Sequence, residues 1–92
     1  KVIFFESLTN PSIDVADIEA ITKIANELGI LTVVDNTVAT PVICRPFEWG
    51  ADISVHSASK YTTGQGLAIG GILVERKNLV EKLKDNPRYT HF

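Results

Sequence analysis

The sequence predicts an α/β fold built on a mostly parallel sheet, and three observations carry that expectation. Two short apolar runs flank a stretch of helical periodicity between Lys1 and Asp35. Each run stops at an acidic residue followed by turn-forming text. The composition, 45% hydrophobic and 22% charged over 92 residues, is that of a packed globular domain and excludes disordered, collagen-like and coiled-coil classes.

The elements follow in order. Residues 1–6 form a continuous apolar run ending in Glu6, the pattern of a strand buried on both faces. Thr9-Asn10-Pro11-Ser12 breaks it, because Pro11 pushes Asn10 out of the helical region. Val15, Ile18, Ile21, Ile24, Ala25 and Leu28 then recur at helical spacing. Asp14 stands where an N-cap belongs, and Gly29 follows the last turn as a stop. Ile30 to Val34 is a second apolar run, interrupted only by Thr32 and closed by Asp35. Strand, helix and strand in this order make a βαβ unit, hence a parallel sheet covered on both sides. Pro41 and Pro46 bracket a connection carrying Arg45, Phe47 and Trp49, which Gly50 ends. Ala51 to Val55 reads as a third strand and Ile72 to Val74 as a fourth, with a polar, glycine-rich loop from Ser57 to Gly71 between them. Leu79, Val80 and Leu83 begin a charged helix limited by Pro87.

Charge and length exclude several functions. Nine Lys and Arg against 11 Asp and Glu give a net charge of −2, with no basic footprint for nucleic acid or an anionic membrane surface. No apolar run approaches the roughly 18 residues of a membrane-spanning helix. A single cysteine, Cys44, rules out an internal disulfide framework and fits a reducing, cytoplasmic setting. The chain has no methionine, opens on an apolar run and stops on Phe92 without a closing element. It is therefore read as an interior piece of a longer protein.

In open parallel sheets, ligands bind beyond the carboxyl ends of the strands. Polar groups stand at three such ends: Asn10, Asp35, and the segment from His56 to Lys60. A carboxylate at the position of Asp35 either closes an Asx-turn over Asn36 and Thr37 or holds a protonated heterocycle nitrogen. Lys60 is either a solvated loop lysine or an amine kept neutral for Schiff-base chemistry. Ser57 and Ser59 are the short donors that a phosphate needs, although serine pairs are common in loops. Three other patterns lack their supporting context. Ser57-Ala58-Ser59-Lys60 fits S-x-x-K without the companion S-D-N and K-T-G elements. Gly64, Gly66 and Gly70 miss the dinucleotide fingerprint by one residue. His56 and Cys44 have no partners at metal-ligand spacing, so no metal site is expected.

With Asp35 and Lys60 in place, the sequence resembles the Cys/Met-metabolism family of pyridoxal-phosphate enzymes. The residues that carry the resemblance are Glu6-Ser7-Leu8-Thr9-Asn10-Pro11, Val33-Val34-Asp35-Asn36-Thr37, Gly50-Ala51-Asp52-Ile53 and His56-Ser57-Ala58-Ser59-Lys60-Tyr61. Their order and spacing agree over essentially the whole chain, about a quarter of a typical member. The resemblance implies that residues 1–92 are part of the large cofactor-binding domain of a fold-type-I, aspartate-aminotransferase-like enzyme. It implies pyridoxal 5'-phosphate as cofactor, with Lys60 joined to its aldehyde as a Schiff base and then shuttling protons. Asp35 would pair with the pyridinium nitrogen, Asn10 with the phenolic oxygen, and Thr37 would lie against the ring face. Ser57 and Ser59 would donate to the phosphate; the family usually has Thr at the second position, and Ser59 keeps the hydroxyl.

Within the family, Gly64-Gln65-Gly66-Leu67-Ala68-Ile69-Gly70-Gly71 lacks the acidic residue of the lyases and cystathionine synthases. It resembles the O-acetylhomoserine sulfhydrylase form, as do Cys44-Arg45-Pro46-Phe47-Glu48 and Pro87-Arg88-Tyr89. Gln65 replaces the usual His. The implied reaction is γ-replacement on an acyl-homoserine by sulfide or a thiol, in a homotetramer. A cystathionine γ-synthase, a γ-lyase or a methionine γ-lyase is the nearer alternative. A non-catalytic structural or binding module is the alternative of a different class.

Overall fold

In the computed structural model, residues 1–9, 12–57, 70–76 and 79 are described. Four strands form one sheet in the order β1 (Val2–Glu6), β2 (Leu31–Asp35), β3 (Ile53–Ser57) and β4 (Gly71–Glu75). β1 and β2 run parallel with Val2 opposite Leu31 and Glu6 opposite Asp35, and β2 and β3 are parallel as well. β4 returns antiparallel, Gly71 lying opposite Ser57. The helix α1 (Ile18–Glu27) connects β1 to β2. A one-turn helix α2 (Thr40–Ile43) and a 3-10 turn (Pro46–Trp49) connect β2 to β3.

Helix α1 starts three residues later than the sequence reading places it. Its N-cap is Asp17, whose Oδ1 accepts the Ala20 N–H at 3.0 Å, the usual service of a capping carboxylate. Asp14 is not available for that role. Its N–H donates to Thr9 Oγ1 and its carbonyl accepts from Thr9 N, while Leu8 and Val15 form an antiparallel bridge and Ala16 N donates to Ser7 O. The expected stop is present. Gly29 takes φ +65°, its N–H reaches Asn26 O, and Ile30 N reaches Ala25 O at 2.8 Å, which is a Schellman closure.

One face of the helix and one face of the sheet make the core. Ile18, Val34 and Ala51 are buried together, with Phe5 and Cys44 packed against them. The 3-10 turn lies on the same side: Thr22 Oγ1 donates to Trp49 O at 2.7 Å. Gly50 closes that turn at φ +99°, and a Cβ there would stand 3.0 Å from Thr22 Oγ1, so both conformation and space call for glycine. Arg76, just past β4, clamps the turn to the sheet. Its Nη2 donates to Phe47 O and Ala51 O, its Nε donates to Ala51 O, and its guanidinium lies 5.9 Å from the centre of the Phe47 ring.

β3 also begins two residues later than expected, at Ile53. Ala51 N is taken by Pro46 O. Asp52 Oδ2 accepts from both Thr32 N and Thr32 Oγ1, while Asp52 N donates back to Thr32 Oγ1. The strand is thereby docked by side chains before ladder pairing starts. The shift carries His56 and Ser57 into the strand rather than beyond it.

The opposite sheet face corrects another expectation. Val2 and Phe4, read as buried on both faces, are 56% and 61% exposed, and Leu73 is open as well. The described elements between the strands pack on one face of the sheet only. The charged helix expected from Leu79 and the loop between Ser57 and Gly71 lie almost entirely outside the described residues.

Candidate functional site

Two parallel strands end side by side, and their last residues create the site. Asp35 closes β2 and Ser57 closes β3. Thr37, two residues past Asp35 and buried, joins them. Its hydroxyl donates to Asp35 Oδ1 at 2.6 Å, its N–H donates to the same oxygen at 3.0 Å, and its Oγ1 accepts the Ser57 N–H at 2.8 Å. The Asx-turn weighed from sequence is therefore real. It uses only one carboxylate oxygen: among the described residues Oδ2 receives no hydrogen bond. An acceptor with a fixed rotamer and an open oxygen, at the carboxyl edge of a parallel sheet, suits a cationic ring N–H.

The backbone between Asp35 and Thr37 is held by Asn36, a residue to which the sequence reading gave no function. Its side chain is fully buried, and both of its polar atoms are paired. Oδ1 accepts from Ser7 Oγ at 2.7 Å, and Nδ2 donates to Cys44 O at 2.7 Å. Its N–H donates to Val55 O and its carbonyl accepts from Thr40 N. One residue thus pins the end of β2 to β1, to α2 and to β3. Ser7, also buried, adds a bond from its own N–H to Asp35 O. The only signal in the sequence was the position of both residues inside the matching segments.

Of the six residues expected to hold the cofactor, the structure brings Asp35, Thr37 and Ser57 together. Asn10, Ser59 and Lys60 lie outside the described residues. Two decoys have ordinary explanations. His56 Nε2 pairs with Ser54 Oγ at 3.0 Å. The Cys44 thiol is pushed above its usual pKa by burial and then by the Glu48 charge, so at neutral pH it stays protonated and is a poor nucleophile. Among the described residues no cluster of three or more His, Cys, Asp or Glu side chains could hold a metal, and no helix is long and apolar enough to cross a membrane.

The residues that are present fit pyridoxal phosphate: an oriented carboxylate for the ring nitrogen at one strand end, and the hydroxyl of Ser57 at the next. Comparison with known proteins points to the same cofactor. A family model described as Cys/Met metabolism PLP-dependent enzyme matches residues 1–90. An L-methionine gamma-lyase of Pseudomonas putida is 48% identical over 84 residues, 91% of this chain and 21% of that protein. An O-acetyl-L-homoserine sulfhydrylase of Leptospira meyeri is 43% identical over 75 residues, 82% of this chain and 17% of the other. Among solved structures, a Campylobacter jejuni protein described as an O-acetylhomoserine (thiol)-lyase superposes with a TM-score of 0.93 at 56% identity. It covers all of this chain with 23% of its own, and it carries a pyridoxyl-lysine phosphate. The chain therefore spans about a fifth of the length of these relatives.

Proposed function

The chain belongs to the Cys/Met-metabolism family of pyridoxal-phosphate-dependent enzymes, and from that premise we propose that it is a section of the cofactor-binding domain of an O-acetylhomoserine sulfhydrylase. The proposed reaction converts O-acetyl-L-homoserine and sulfide, or a thiol, into L-homocysteine, or a thioether such as methionine, with release of acetate. The observation that carries the cofactor-binding part of this reading is the chain of bonds from Asp35 through Thr37 to Ser57 at adjacent strand ends.

Pyridoxal phosphate, when bound, supplies an electron sink for negative charge that develops on the substrate carbons. The protein's own residues do the rest. Asp35 accepts the ring N–H through its open oxygen and so keeps that nitrogen protonated. Ser57 and Ser59 donate hydroxyl hydrogen bonds to the phosphate, and Asn10 donates to the phenolic oxygen. Thr37 lies against the ring. Lys60 holds the cofactor through its ε-amine and then moves protons as base and acid. These roles for Asn10, Ser59 and Lys60 rest on the matching sequence segments.

Sulfhydrylase is favoured over lyase by the run from Gly64 to Gly71, which lacks the acidic residue of the lyase form. The 56% identity to the Campylobacter jejuni protein supports the same choice. The methionine gamma-lyase of Pseudomonas putida, at 48%, keeps γ-elimination as the second reading. A homotetramer in the cytoplasm completes the proposal. The experiment is a product assay on the full-length protein. O-Acetylhomoserine plus sulfide is expected to yield homocysteine and acetate as the main products. Ammonia and a 2-oxo acid as main products, from that substrate or from methionine, would establish the lyase instead.

A further inference from the structure

We propose that Thr37 is a positioning residue for the cofactor's ring nitrogen, acting through its hydroxyl on Asp35 rather than by contact with the ring alone. This inference rests on the reading above, in which Asp35 meets that nitrogen.

The geometry is specific. The Oγ1–Oδ1 distance of 2.6 Å is in the range of a hydrogen bond from a hydroxyl to an ionised carboxylate. Its single proton is committed to Asp35, so Oγ1 meets Ser57 N–H as an acceptor at 2.8 Å. The Thr37 N–H adds a second donor to Oδ1. Both side-chain torsions that matter are thereby determined. A β-branched side chain is stiff at χ1, and two donors on one oxygen prevent the carboxylate from rotating. Thr37 is only 8% exposed, so water competes weakly for these bonds. Among the described residues nothing donates to Oδ2, which is left as the acceptor on offer. The same hydroxyl sets the end of β2 against the end of β3, tying the nitrogen end of the site to the strand end that bears Ser57.

Substitution separates the hydroxyl from the methyl group. Thr37→Val keeps the shape, removes the bond to Asp35 and leaves Ser57 N–H without its acceptor. Thr37→Ser keeps the hydroxyl and loses the methyl that would touch a ring. The readout is equilibrium binding to apoprotein of the full-length enzyme, with two probes: pyridoxal phosphate, and its 1-deaza analogue with C–H in place of the ring nitrogen.

Wild type is expected to bind pyridoxal phosphate more tightly than the analogue. T37V should weaken pyridoxal phosphate by about tenfold, the scale of a lost hydrogen bond to a charged group, and should change the analogue's affinity little. T37S should stay within about twofold of wild type for pyridoxal phosphate, well inside the tenfold loss assigned to the hydroxyl. Equal weakening of both probes by T37V would overturn the inference, as would a T37S loss matching that of T37V. If T37V does not fold, Thr37→Ala set against Thr37→Ser isolates the hydroxyl instead, since both variants lack the methyl group. A wild type that does not distinguish the two probes would bring down the Asp35 reading itself, a result separable from failure at Thr37.

Discussion

Asp35→Asn in the full-length enzyme is expected to lower kcat by on the order of a hundredfold or more, the scale seen when one preorganised electrostatic partner is removed. The substitution is chosen because it isolates charge. An amide oxygen can still accept the Thr37 N–H and O–H that now meet Oδ1, so the turn after β2 keeps its shape. Under the proposed role of Asp35, the negative charge that would face the ring nitrogen is gone, and the cofactor would lose the partner that keeps it protonated. Asp35→Glu restores the charge but displaces it by one methylene, and should recover only part of the rate. Steady-state kinetics beside a thermal melt of the apoprotein check both halves. Full activity in Asp35→Asn would show that the carboxylate serves the turn alone.

Asn36→Ala is expected to have the largest effect on stability. The asparagine is fully buried with each side-chain polar atom paired. Its removal takes the short acceptor from the Ser7 hydroxyl, leaving it only a 3.4 Å contact to Asp35 O, and takes the donor from the Cys44 carbonyl. These losses cost about 1–3 kcal/mol each, and a cavity opens besides. A loss of roughly 3 kcal/mol or more, read from the urea midpoint, follows from that sum of penalties. Asn36→Asp should be no milder, since it replaces the donor to Cys44 O with an acceptor. A loss below about 0.5 kcal/mol in Asn36→Ala, the level of an ordinary surface change, would contradict the role assigned to it.

These two neighbours also show what the sequence makes legible. The bond from Thr37 N to Asp35 is local, a two-residue turn, and its chemistry is readable from Asp-Asn-Thr at a strand end. The partners of Asn36 lie 29 residues back at Ser7 and eight ahead at Cys44. No local pattern announces such contacts. The fold divides in the same way. The Gly29 stop and the βαβ order are encoded in short-range periodicity and turn chemistry. Asp14 and Asp17 both satisfy the N-cap rule, and the choice is made by Thr9, Ser7 and the Leu8–Val15 bridge, which hold Asp14 elsewhere. The four-residue 3-10 turn at Pro46–Trp49 is too short to show a period. The exposure of Val2 and Phe4 depends on what covers that sheet face, which a strand's own residues do not specify.

The decisive measurement concerns Lys60. Borohydride reduction of the full-length protein, followed by peptide mass spectrometry, should place one phosphopyridoxyl group on the peptide containing Lys60 and bleach the visible absorbance. A Lys60 peptide that stays unmodified while another lysine carries the label would contradict the account at its centre, as would a purified protein that takes up no cofactor.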